Sequence, residues 1–407
     1  MAGHLTSAEK IFSRVSGKDV TAGEFVWGGP DLVYMHDVLG PLTLETMKKI
    51  NGENVNFRGK IVVINDHIYP PKDSTSANNI RYMSDFAVKK GWDLIPFGEG
   101  IEHTLLIENG TIREGMLVAG TDSHTVTAGA AGAMGVGLGS TDMAALLSVG
   151  KTWFKVPETI LIRVRGNKNR YVVGKDLILK VMSILGTNGA NYRCMEFRIN
   201  PDSGMNRDDD LSIANMTVEA GAKTSIIFNE AHRVKDQSLK SDEGSAFTEL
   251  DIDLTDMEPM IAFPYSPGNV AKVSDYAGTH IDQVYIGNCS NGTISDLREA
   301  AEILKGNKVK EGVKVIIVPA TRNIYKQALR EGIIEIFTEA GATVSPPTCG
   351  ACAGLHMGVL ARGEVCITNI NRNFRGRMGD PDSRVYISNT YVAAASAVEG
   401  RITLPGE

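Results

Sequence analysis

The chain lacks any apolar stretch approaching the roughly 20 residues that cross a bilayer, and its opening, MAGHLTSAEKIFSRVSG, has no apolar signal core. Membrane insertion and export are therefore not expected, and the sequence reads as cytoplasmic. Long basic runs are missing as well. Lys and Arg number 42 against 48 Asp and Glu, a formal charge of −6, so nucleic acid is not an expected partner. Cysteine is scarce: five in 407 residues is an odd number, far below the density of a disulfide scaffold. Such usage fits a reducing compartment in which thiols serve metal or redox chemistry. Tandem repeats and low-complexity segments are also absent.

What remains is an ordinary globular composition, 43% apolar and 22% charged, in a chain too long for one hydrophobic core. Three α/β domains are expected, at 1–157, 158–270 and 271–407. Pro157 marks the first boundary, the Pro/Gly-rich FPYSPGNV the second, and the last unit carries the candidate cysteine ligands.

Short β-branched runs repeatedly deliver reactive side chains. KIVVIN at 60–65 leads to Asp66 and His67; MLVAG at 116–120 leads to Thr121, Asp122, Ser123 and His124. QVYIGN at 283–288 delivers Cys289, ATVS at 342–345 leads into CGAC, and EVCITN at 364–369 leads into NRNFRGR. In open α/β sheets ligands collect beyond the carboxyl ends of strands, so these segments are expected to converge on one crevice. Helix-like stretches lie between them: STDMAALLSVGKTWF, TRNIYKQALREGIIEIFTEAG, and SNTYVAAASAVEG closing on Gly400.

Each motif has a plain reading beside its chemical one. Cys349 and Cys352, with Cys289 about sixty residues upstream, give three thiols where an iron–sulfur cube ordinarily takes four, and a cube held by three leaves one iron open as a Lewis acid. CGAC by itself also fits a zinc half-site, a redox pair or two core thiols. Cys194 and Cys366 sit in apolar contexts and read as inert core thiols. GAAGAMGVGLGS at 129–140 lacks both the dinucleotide and the P-loop spacing, and reads as glycines admitting close packing at a helix start. Asp122, Ser123 and His124 are adjacent, which no hydrolase triad requires. His67 and His103 each neighbour an acidic residue at a loop-like end, as proton-handling imidazoles do, although a lone histidine is more often structural. Arg372 and Arg377, five apart in NINRNFRGRMGDP, read either as a solvated loop or as two forks for an anionic substrate.

The ordered set VINDH, GIEHT, GTDSHTVTAGAAGAMGVGLGSTDMA, GKDLIL, ANMTVEAGA, IGNCSNGT, CGACAG and NRNFRGRMG resembles the aconitase superfamily from about Val33 to Val398. Within it the chain is similar to the large subunits of isopropylmalate dehydratases and of homoaconitase-like hydro-lyases. The resemblance implies three α/β domains around a shared crevice with the fourth aconitase domain absent from this chain. A separate small subunit would supply that domain and the catalytic base. It implies one [4Fe-4S] cluster per subunit on Cys289, Cys349 and Cys352, with Asn215, Asn291 and Asn371 as polar neighbours. Asp66, His67, His103, Asp122, His124 and Glu219 fall where the family handles protons and the substrate hydroxyl; Ser123, Arg372 and Arg377 fall where it holds carboxylates.

The implied reaction is reversible dehydration and rehydration of a malate-type hydroxy diacid, a small dicarboxylate or tricarboxylate, with the isopropylmalate reaction of leucine biosynthesis leading. Homoaconitate, 2,3-dimethylmalate, citramalate and maleate chemistry are the alternatives, and a zinc/thiol or RNA-associated binding protein is the non-enzyme reading. The chain departs from the family pattern at Asn288 and Ser290 around the first cysteine, at Gly292 and Thr293 after it, at Ala351 in the second motif and at Pro41. The ligands survive these changes; the pocket neighbours do not all do so.

Overall fold

The computed structural model describes residues 4–232 and 236–406. Three sheets, two wholly parallel and the third mixed, follow one another along the chain. The first has the spatial order Asp93–Leu94, Lys60–Ile64, Leu32–His36, Leu117–Gly120 and Met134–Gly137. The second orders Thr224–Asn229, Cys194–Ile199, Thr159–Arg165 and Thr248–Asp253. In the third, the parallel strands Arg384–Ile387, Val365–Thr368, Gln283–Gly287, Lys314–Val318 and Thr343–Val344 are extended antiparallel by Met260–Ala262 and Val270–Lys272. That sheet thus begins ahead of position 270, where the sequence places the second boundary. Phe25–Gly28 and Thr152–Lys155 form a separate antiparallel pair.

Parallel strands covered by helices on both faces read as unbroken apolar runs, and LVYMH, LVAG, QVYIG and VCIT are buried at every position. All five β-branched runs singled out in the sequence form strands at those places. Two helices are shorter than their patterns predict. STDMAALLSVGKTWF is helical only over Ser140–Val149: Gly150 adopts φ 92°, and the following TWFK, alternately buried and exposed, pairs as a strand. TRNIYKQALREGIIEIFTEAG divides into Arg322–Arg330 and Ile333–Ala340 at Gly332, with φ 72°. Left-handed backbone favours glycine and stops a helix.

The glycines of GAAGAMGVGLGS serve close packing. A Cβ on Gly135 would lie 1.8 Å from the Thr125 carbonyl oxygen, and one on Gly129 would lie 2.6 Å from that of Ser225. These contacts press the turn over Ser123–Ala131, which carries Ser123 and His124, onto its own strand and onto the second sheet. Among the described residues no helix is long and apolar enough to cross a membrane.

Candidate functional site

Residues that follow strands of the first and third sheets line one cavity of about 260 Å³. Its walls bring together Cys289, Cys349, Cys352, His67, His103, Asp122, His124, Asn371, Arg372 and Arg377, all expected from the sequence. Asp66, Ser123, Asn215 and Glu219 reach it through hydrogen bonds to those walls.

The thiols meet because of local helical geometry. Cys349 precedes a 3₁₀ turn over Gly350–Ala353, and positions three apart in such a turn eclipse one another, so Cys349 and Cys352 share a face. Cys289 lies in the single helical turn Asn288–Asn291 that follows a strand. Asn288, held at φ 83°, donates its amide to the Cys349 carbonyl oxygen at 3.1 Å and accepts from the Cys289 N–H at 2.7 Å, which ties the two cysteine loops together. All five cysteines are free and buried.

Asn215 Nδ2 and Asn371 Nδ2 donate toward Cys289 Sγ at 3.4 and 3.7 Å, and the Cys352 thiol points at Asn371 Oδ1 at 3.6 Å. Burial pushes the Cys349 thiol up to about 12. It raises Cys289 as well, with the neighbouring thiols Cys349 and Cys352 adding to the effect. Asn291 stands apart. Its amide donates to Asp296 at 2.8 Å, its carbonyl accepts from Ser290, and it does not line the cavity. Two residues along an α-helix is a rotation of about 200°, so a turn that aims Cys289 at the cavity aims Asn291 away from it.

Asp122 is the hub of three imidazoles. Its Oδ1 lies 3.0 Å from His103 Nε2 and 3.2 Å from His124 Nδ1, and its Oδ2 lies 3.6 Å from His67 Nε2. Burial alone would raise its pKa, but the three imidazoles outweigh that and hold it well below the carboxylate range. His67 Nδ1 sits 2.7 Å from Asp66 Oδ1. Burial opposes a charge on His67, yet Cys349, Asp66 and Asp122 together hold its pKa well above the ordinary imidazole value. Burial lowers His103, whose Nδ1 lies 3.1 Å from the Tyr34 hydroxyl. One cavity thus holds an imidazole whose neighbours favour its charged form beside one whose burial disfavours it, both facing the same carboxylate.

Arg372 Nε donates to Glu219 Oε1 at 2.6 Å and its Nη2 donates to Ser123 Oγ at 2.9 Å; Glu219 also meets His124 Nε2 at 3.0 Å. Ser123 borders an adjoining cavity of about 470 Å³ that shares Asp122 and Arg372 with the first. Arg377 Nε is buried with no partner.

Sequence reasoning passed over several residues. His36 lines the cavity, stacked on His67 with ring centroids 4.0 Å apart, and burial together with the His67 charge drives its pKa down to about 3. LVYMHD carries the same strand-then-His/Asp signal as VVINDH and could have revealed it. Glu102 is fully buried with neither carboxylate oxygen hydrogen-bonded, its Oε1 3.6 Å from His103 Nε2, and burial next to Asp66 raises its pKa well above the usual range. Lys175, inside the apolar run GKDLIL, gave no comparable signal.

Sheets whose strand ends bring three free thiols, carboxylate-paired histidines and two arginines to one cavity define an α/β protein with a polar crevice at the strand ends. The chain belongs to the aconitase family: the family model described as aconitase (aconitate hydratase) matches residues 9–235 and 274–400. It is 47% identical to the 3-isopropylmalate dehydratase large subunit 2 of Rubrobacter xylanophilus, over 99% of this chain and 97% of that protein. It is 44% identical to the 3-isopropylmalate dehydratase large subunits of Caldicellulosiruptor saccharolyticus (100% and 98% covered) and Picrophilus torridus (99% of each). Among solved structures, Thermococcus kodakaraensis aconitase X in its holo form shares the fold, with a TM-score of 0.52 at 13% identity over 98% of this chain and 93% of that one.

Proposed function

We propose that the chain is the large subunit of a 3-isopropylmalate dehydratase, a hydro-lyase that interconverts hydroxy diacids through an alkene diacid and serves leucine biosynthesis. The observation that carries this is the end-to-end likeness, at 41–47% identity, to proteins bearing that one name. Three sequence-ordered sheets support division into three domains, with the second boundary drawn ahead of Met260.

The donor set suits a [4Fe-4S] cluster on Cys289, Cys349 and Cys352, one per subunit. Three buried, unpaired thiols share one cavity, and two asparagine amides are aimed at a sulfur, the arrangement that orients a metal-ligating thiolate. Such a cluster, when bound, supplies a Lewis acid for the substrate hydroxyl and carboxylate.

The chain's own residues do the rest. Arg372, braced by Glu219 and Ser123, and Arg377, with a spare donor, hold the substrate carboxylates. Protonated His67, steadied by Asp66 and Asp122, donates to the departing hydroxyl oxygen, and in the reverse direction takes the proton back from water. His103 and His124, fixed by Asp122, keep imidazole nitrogens close to the same centre. A separate small subunit covers the site and brings the base that removes the carbon-bound proton; the relatives' designation as large subunits supports this. Cytoplasmic residence accords with the metabolic role.

The test is reconstitution with iron and sulfide together with the cognate small subunit, followed by a panel of isopropylmalate, homoaconitate, 2,3-dimethylmalate, citramalate and maleate. Fastest turnover of isopropylmalate is expected. Turnover of a different diacid with none of isopropylmalate overturns the substrate, and bound zinc without sulfide overturns the cluster.

A further inference from the structure

Lys175 is completely buried in the first turn of the helix Gly174–Leu185. Its ammonium donates to Ser290 Oγ at 2.7 Å and to the Ile370 carbonyl oxygen at 3.2 Å, and lies 3.0 Å from Met216 Sδ. Among the described residues no carboxylate comes within ion-pairing distance of it. The nearby acid Asp296 is engaged by Asn291, Thr293 and Thr390. An ammonium taken out of water without a counter-charge is costly, and a methionine would fill the same space without that cost.

The three contacts place the Lys175 amine behind the thiols. Ser290 follows Cys289 in sequence. Ile370 precedes Asn371, which bonds both Cys289 and Cys352. Met216 follows Asn215, which donates to Cys289. Along three separate segments the ammonium is one residue removed from the groups that hold the thiols. Nothing places it against substrate, so its effect passes through those segments and through its field.

We propose that Lys175 is the internal counter-cation of the cysteine-held cluster, a positioning residue that offsets the negative charge of three thiolates and fixes the Cys289 turn. This rests on the cluster reading given above. Opposed charges in a low-dielectric interior interact strongly, and groups behind the ligands tune both metal retention and reduction potential.

The test compares wild type with Lys175→Met and Lys175→Gln in the full chain. Four quantities are measured: apo-protein melting temperature, iron and sulfide content after reconstitution, rate of cluster loss to a chelator, and cluster midpoint potential. Both variants are expected to melt, as apo-proteins, no lower than wild type. They should nevertheless lose the cluster on the order of 10- to 100-fold faster, with a more negative potential.

Unchanged retention and potential in Lys175→Met overturn the proposal. So does recovery of both in Lys175→Gln, which would assign the role to hydrogen bonding instead of charge. A parallel fall in apo stability and retention in both variants also overturns it, in favour of a purely structural lysine. Wild type that takes up no iron and sulfide refutes the cluster itself and is thereby distinguished from failure at Lys175.

Discussion

Arg372→Lys isolates the fork from the charge. In the native site Arg372 spends Nε on Glu219 and Nη2 on Ser123 while its guanidinium lines the cavity. One ammonium nitrogen cannot brace against both partners and also present a planar pair of donors to a carboxylate. The variant keeps a cation beside buried Glu219, so the fold is expected to persist with a melting temperature within a few degrees of wild type. Each lost charge-assisted hydrogen bond is worth about 1.5–3 kcal/mol. At about 1.4 kcal/mol per decade, kcat/KM should therefore fall roughly 10- to 150-fold. If the carboxylate is gripped equally in the bound substrate and in the transition state, most of that fall appears as a raised KM. The assay is steady-state alkene-diacid formation by the reconstituted two-subunit enzyme, with iron content matched between proteins. Unaltered kcat/KM in a fully loaded variant would refute the carboxylate role of Arg372.

Asp122→Asn removes the charge that orients three imidazoles, so at least a 100-fold loss of kcat is expected with little change in secondary structure by circular dichroism; near-normal kcat would remove Asp122 from the proton relay. Gly135→Ala drives a methyl into the Thr125 carbonyl oxygen and should cost about 1–3 kcal/mol in denaturant unfolding, because backbone has to move; unchanged stability would contradict that packing. Asp176 is fully buried, accepts from Met260 N and Asn389 Nδ2, and is pushed by burial up to about 6. Its folded pKa exceeds its unfolded value near 3.9, so the native state binds the extra proton between about pH 4 and 6 and is stabilised as pH falls through that window. Relative to Asp176→Asn, wild type should therefore gain up to about 3 kcal/mol between pH 7 and pH 4 in chemical unfolding, and a flat difference would refute the assignment.

Chemistry was legible in the sequence wherever it depended on a residue's immediate neighbours. A strand buried on both faces has to be a continuous apolar run, and the polar residue that ends it stands at the carboxyl edge of a sheet where ligands gather. That is why Asp66, His67, Asp122, His124 and Cys289 stood out while the order of strands in the sheets did not: order is fixed by pairings such as Leu32↔Val118 that no local pattern encodes. The strand Thr152–Lys155 was absorbed into a helix for the same reason, since its partner lies at Phe25–Gly28.

Residue spacing misleads or informs according to the turn it is wound on. Cys349 and Cys352 sit at the one separation that a 3₁₀ turn brings to a single face, so C-x-x-C spacing signals that the two thiols lie together. Ser290 and Asn291 follow Cys289 directly, yet a helical turn sends each about 100° further round: Ser290 to the buried Lys175, and Asn291 to Asp296. The polar groups that do reach Cys289 Sγ, Asn215 and Asn371, come from positions more than seventy residues away. On the C-terminal side of Cys289, sequence proximity therefore yields residues behind the site, and tertiary packing supplies the amides that reach the sulfur.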